Sequence, residues 1–220
     1  MEELDLRTNP TLQLSGENAA EALTEKLRGE LSRVDQDEAV IAARISFEAA
    51  EATVERTKRA MLVINDRAGE LTKFLSDIAI TYVDSLIESA ANGGKRPDPK
   101  ISTQIVNAEN EHRLSVRAIG RIAEHLIPLS EIAKLRAESD FERLRAFVMD
   151  RLANERGQRL IEAMGAAVAE EVSVQVDTKG SVAGMLLELA NAARKKANGL
   201  DKWADELQEK YNEAQEKKGF

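Results

Sequence analysis

Residues 40–82 read VIAARISFEAAEATVERTKRAMLVINDRAGELTKFLSDIAITY. Within them Val40, Ala43, Phe47, Ala50, Val54, Thr57, Met61, Ile64, Ala68, Leu71, Leu75, Ile78 and Tyr82 recur at alternating three- and four-residue steps. Twelve of these thirteen are apolar or Tyr, Thr57 being the exception. A seven-residue repeat held over six heptads keeps one stripe facing a partner helix and implies a left-handed coiled-coil seam. Only Gly69 interrupts it. The pattern predicts a helix over residues 37–92, about 84 Å long at 1.5 Å per residue.

Outside the seam the second half of this helix widens. Leu62, Val63, Phe74, Ile80, Val83 and Ile87 flank the stripe. A two-stranded coil needs only a narrow stripe, so the wider arc predicts several helices packed together near residue 90. Asn92-Gly93-Gly94-Lys95-Arg96-Pro97-Asp98-Pro99 then stops the helix, with Gly supplying a left-handed cap and Pro blocking continuation. So short a connection predicts an antiparallel hairpin with its turn at 93–99.

The returning helix carries Ile105, Ala108, His112, Ser115, Ile119, Ile122, Leu126 and Leu129 in the same rhythm. Pro128 lacks a backbone donor and is expected to kink or split it. Beyond the proline the stripe changes phase, through Ile132, Leu135, Phe141, Leu144, Val148 and Leu152. Upstream of the long seam, Ser15 is a candidate N-cap for a helix with Ala20, Leu23, Leu27, Leu31 and Val34 on one face. Asp35 or Asp37 is the candidate cap where this helix gives way to the seam. The last helix, over 181–220, carries Val182, Leu186, Leu189, Ala193, Ala197, Leu200, Ala204, Leu207, Tyr211 and Ala214.

Two stretches break the helical rhythm. Leu4, Leu6, Leu12 and Leu14 alternate with polar residues around Asn9-Pro10, and Val172, Val174 and Val176 alternate ahead of Asp177-Thr178-Lys179-Gly180. Period-two alternation beside turn residues reads as short extended segments, near 3–14 and 172–177, or as linkers. The expected fold is therefore all-α: an elongated antiparallel helical hairpin or coiled-coil bundle of about five helices. Its parts are an extended segment over 1–15, a hairpin and bundle over 16–170, a linker or strand over 171–180 and an amphipathic helix over 181–220.

Composition agrees. Of 220 residues 43% are apolar, yet 32 of those are Ala and only 8 are aromatic, with 4 Pro and no Cys. Ala is the best helix former but contributes little on burial, so continuous stripes must do the packing. The formal charge of −8 and the absence of any strongly basic segment argue against nucleic acid as a partner. The cysteine-free chain excludes thiol chemistry and Cys-based zinc sites. The acidic N-terminus does not read as a secretory signal, and no apolar run approaches the roughly 20 residues needed to span a bilayer. A cytoplasmic protein is expected.

Candidates for chemistry are few. Glu109 and His112 form a Glu-x-x-His unit of the type that holds metal in carboxylate-bridged helical bundles. The second copy such a site needs is missing, because residue 122 is Ile ahead of the only other histidine, His125. His112 is therefore read as a polar layer in the seam or as a helix-surface residue, and no metal or other cofactor is expected. Lys95, Arg96 and Lys100 make a basic hairpin tip, read first as an ordinary solvated turn and otherwise as a contact for lipid phosphate or a partner carboxylate. Arg113, Arg117 and Arg121 form an i, i+4, i+8 ridge, expected to pair with Glu21, Glu25 or Glu51 of a neighbouring helix. Trp203, Leu207 and Tyr211 form an aromatic ridge of the kind found at binding hot spots.

The expected function is a non-enzymatic structural or scaffolding coiled coil that self-assembles into a homo-oligomer. Its expected seam is Val40, Phe47, Val54, Met61, Ile64, Leu71, Leu75, Ile78 and Tyr82. The alternatives are a peripheral membrane-shaping protein acting through its basic tip, an adaptor for another protein at the Trp203 ridge, and a metal–carboxylate enzyme at Glu109 and His112.

Overall fold

The computed structural model describes residues 16–91, 99–165 and 181–217. All its elements are helical: α1 (Gly16–Asp35), α2 (Glu38–Ala91), α3 (Pro99–Arg121), a π-helical turn (Ile122–Leu126), α4 (Ile127–Gly165) and α5 (Val182–Glu216). No strand occurs among the described residues. The segments read as extended near 3–14 and 172–177, and the hairpin tip with Lys95 and Arg96, lie outside them.

The break between α1 and α2 is two residues long, and Asp37 is the cap that forms. Its carboxylate accepts the Ala39 N–H at 3.0 Å while its carbonyl accepts the Ile41 N–H at 2.9 Å. This satisfies donors that the first turn of α2 leaves without intrahelical partners. The same carboxylate receives Arg151 of α4 at 2.8 Å, so the cap also ties two helices together.

Pro128 does not split the helix. The chain stays helical from Pro99 to Gly165, so the described residues form four continuous runs. A proline at 128 offers no N–H to the carbonyl of residue 124 and crowds it. The turn just before it widens instead, with the Ile127 N–H bonding to the Ile122 carbonyl five residues back. Such a π turn absorbs an extra residue and slips the phase of the stripe. Leu126 and Leu129, which an uninterrupted rhythm would bury, are consequently exposed, and Ile132 takes up the buried line.

The chain divides into two compact units. The first comprises residues up to Phe47 together with Arg136–Lys202. Its core joins Val34 and Val40 to Ala146, Val148, Met149, Leu152 and Ala153 of α4 and to Val182, Leu186, Ala190 and Ala193 of α5, with Leu23, Leu27 and Leu31 of α1 against it. Phe47 stacks on Phe141 with ring centroids 6.3 Å apart, and Arg151 meets Asp37 further along, so α4 runs antiparallel to the α1–α2 segment. The Ser139 hydroxyl donates to the Ala197 carbonyl at 3.1 Å. That contact requires α4 and α5 to approach closely, which the alanines of α5 permit.

The second unit comprises Glu48–Leu135 and Trp203 onward. Here the order of contacts from Lys134–Glu51 (2.7 Å) through Lys58–Glu131 (3.0 Å) to Thr72–His112 (3.1 Å) gives the antiparallel hairpin. Val54, Ala68, Leu71 and Ile78 of α2, Ala108, Ile122, Ile132 and Ala204 are buried.

Candidate assembly surface

The stripe read as a partner seam is covered by the chain's own helices. Val40, Val54, Leu71 and Ile78 are buried and Phe47, Met61, Ile64, Leu75 and Tyr82 are half-buried within a single copy. A seven-residue repeat specifies that a helix faces another helix; the short 92–98 connection lets that helix come from the same chain.

What the second unit leaves uncovered is a second set of apolar side chains. Leu62, Val63, Phe74, Ile80, Val83, Leu86 and Ile87 of α2 are exposed. On the returning side Val106, Leu114, Val116, Leu126 and Leu129 are exposed too. Leu86, Val106, Leu114 and Val116 each sit off the three-four rhythm of the stripe. That displacement was itself the available signal, since a large aliphatic residue outside the buried stripe must face solvent or a partner.

The charged groups of this unit are arranged unevenly. Arg67 bridges to Glu111 at 2.8 Å and to Glu70 at 3.2 Å. The Arg113, Arg117 and Arg121 ridge does not find the carboxylates expected for it. Among the described residues Arg113 donates to the Asn110 side chain at 3.0 Å, Glu25 is held by Arg28 and Glu51 by Lys134. Those acids belong to other partners because helical register, rather than charge alone, sets which ridge meets which.

The other candidates are separated. His112 is half-buried, its Nε2 3.1 Å from the Thr72 hydroxyl, while Glu109 is exposed. Among the described residues no three His, Asp or Glu side chains come together in a metal-binding group. Lys100 opens α3 at the surface. The aromatic ridge divides. The Tyr211 hydroxyl lies 3.2 Å from His125 Nδ1 with the two rings edge to face at 80°, Leu207 is half-buried and Trp203 is 65% exposed.

In the first unit the charges are drawn inward. Glu30, on the buried side of α1, takes Arg33 at 2.9 Å and Arg156 of α4. Burial pushes its carboxyl up, but the two guanidinium groups, Arg156 foremost, prevail and hold it below the usual range. Arg151 does the same for Asp37, against a smaller cost of burial. Lys196 reaches Glu142 at 2.7 Å and Glu138 at 2.9 Å, and the hydrogen bond it donates to the Glu142 carboxylate chiefly raises its pKa. Asp35 and Arg44 pair at 2.9 Å, with Arg44 and Arg145 lying 5.7 and 5.6 Å from the centre of the Phe141 ring.

The surface depressions around Phe147 on α4, Gln208 on α5 and Thr103 on α3 are each lined from one helix alone. They bring no groups together from a second element. No helix among the described residues is long and apolar enough to cross a membrane. The chain matches no family of known proteins, and no curated protein and no solved structure is similar to it.

Proposed function

We propose that the protein is a non-enzymatic helical scaffold that associates with further copies of itself. The observation that carries this reading is the aliphatic surface of the second unit, where Ile80, Ile87 and Leu114 are 61%, 63% and 62% exposed. Large aliphatic side chains left exposed in stripes on a protein in water mark interaction sites, and helices bury such faces most readily against other helices. The residues best suited to chemistry are engaged elsewhere, His112 with Thr72 and His125 with Tyr211. Assembly in the cytoplasm is the setting expected from the cysteine-free sequence. Sedimentation velocity and light scattering over a range of concentrations test the proposal. The expected result is a mass that rises with concentration above that of one chain, and a single-chain mass throughout would overturn it.

Exposed Trp203 supports a second reading, an adaptor that docks another protein on the start of the Trp203–Tyr211 ridge. A Trp203→Ala variant that loses a stoichiometric partner while keeping its own assembly state would favour it.

A further inference from the structure

Helical spacing puts two opposite kinds of stripe on the two outer edges of the hairpin. Nine residues make about two and a half turns, so a residue nine positions after a buried one faces away from the core. On α2 this relation carries Ala68 to Asp77, Leu71 to Ile80, Leu75 to Asp84 and Ile78 to Ile87. The outward stripe is therefore Asp77, Ile80, Asp84 and Ile87, acidic and aliphatic in alternation and bounded at its start by Lys73. On α3 the same relation carries Ile105 to Leu114, Ala108 to Arg117 and His112 to Arg121. Arg113 lies beside these, so that outward stripe is basic around an aliphatic centre. All of these outward residues are exposed. Among the described residues neither the Asp77 and Asp84 carboxylates nor the Arg117 and Arg121 guanidinium groups form an ion pair.

We infer that the occupant of these stripes is a second copy of the chain, with the Arg117–Arg121 edge of one copy docked on the Asp77–Asp84 edge of the next. This rests on the self-association proposed above and assigns the surface it uses. Both edges carry aliphatic side chains to be buried, and each offers the charge that the other lacks, a charge with no counterpart within its own copy among the described residues. Electrostatic complementarity of this kind fixes register and rejects like edges. Because the two stripes lie on opposite edges, every docked pair still presents one free edge of each kind. The contact is thus heterologous, and it propagates to a ring or an open row rather than closing as a two-fold dimer.

Charge reversal with full-length protein tests this. The Arg117→Glu/Arg121→Glu variant has two acidic edges, and the Asp77→Lys/Asp84→Lys variant has two basic ones. All four sites are exposed, and far-UV circular dichroism verifies the helical content of each variant. Each variant alone is expected to associate at least ten-fold more weakly than the unmodified chain in sedimentation velocity. An equimolar mixture is expected to regain assembly as an alternating row, and raised salt should weaken the unmodified assembly. Assembly of either variant at the unmodified strength, or a mixture that stays dissociated, would overturn this interface while leaving self-association intact. An unmodified chain that never self-associates removes both proposals. If that chain instead sediments with anionic vesicles, and Arg117→Glu/Arg121→Glu abolishes the effect, the basic edge belongs to a lipid surface.

Discussion

Leu186 of α5 and Ile80 of α2 are both aliphatic residues on long helices. The first is fully buried and the second is 61% exposed. The difference belongs to their surroundings. Around Leu186 three layers meet, formed by α1 with the start of α2, by α4 and by α5, and the charges that line them are paired across helices. Around Ile80 two helices of a hairpin cover one another on one side only. The inward apolar stripes are buried most deeply where a third layer is present, although Ile45 and Phe147 of that unit still face solvent. Where only two layers are present, the outward apolar stripe remains as surface.

The largest effect is expected from truncating the two side chains. Leu186→Ala is expected to cost about 2–5 kcal/mol of unfolding free energy, the range for truncating a buried leucine. Ile80→Ala, measured in dilute solution where copies do not meet, should stay within about 0.5 kcal/mol, as surface changes do. Equal losses in urea titrations would contradict the exposed position of Ile80. Next in size is Glu30→Gln, which leaves Arg156 and Arg33 without their shared carboxylate. A loss of about 1–2 kcal/mol is expected, near the lower part of the range for hydrogen bonds to charged groups because Arg33 is half exposed.

The dependence on pH follows from the same charges. Glu30 and Asp37 have folded pKa values below their ordinary 4.5 and 3.8. Their contribution is present above those ordinary values and is lost as pH falls through the depressed ones. Lys196 is raised above 10.5, so its contribution is present below that value and is lost as pH rises through the raised one. The urea midpoint should therefore fall at both ends of the pH range. Glu30→Gln should flatten the acid limb and leave the alkaline limb unchanged. A variant whose acid limb matches that of the unmodified chain would show that Glu30 is not held by its arginines. The smallest effect on stability is expected from the pair Ile80→Ser and Leu114→Ser, within about 0.5 kcal/mol each. Their consequence should appear in sedimentation as weaker association, which sharpens the contrast between a covered stripe and an uncovered one.

Much of this arrangement was legible in the residues. The three-four spacing from Val40 to Tyr82 identifies α2 and its buried face, Asp37 is one of two candidate caps, and the α5 stripe is covered except at Leu189, which Ala190 replaces in the core, and at Ala214, which is exposed. Three features were not legible. The outcome at Pro128 depended on whether the preceding turn could widen, which is a matter of backbone accommodation and not of composition. The partner of the α2 seam was hidden because periodicity gives the direction a face points and nothing about whose helix meets it. Among the described residues the Arg113–Arg121 ridge finds none of the acids expected for it, because a charge can be matched on paper to any opposite charge, whereas in space Glu51 belongs to Lys134.

The sequence by itself determined that this chain is helical, where α2 and α5 run, and which side of each is apolar. Those properties are local: they come from helix propensity, capping groups and the 3.6-residue turn. Only the tertiary structure decided that the seam closes on its own chain, that Glu30 and Glu142 are buried, and that Ile80, Ile87 and Leu114 remain outside. Burial and pairing depend on residues far apart along the chain, and their distances are set by how helices pack, which no single helix encodes.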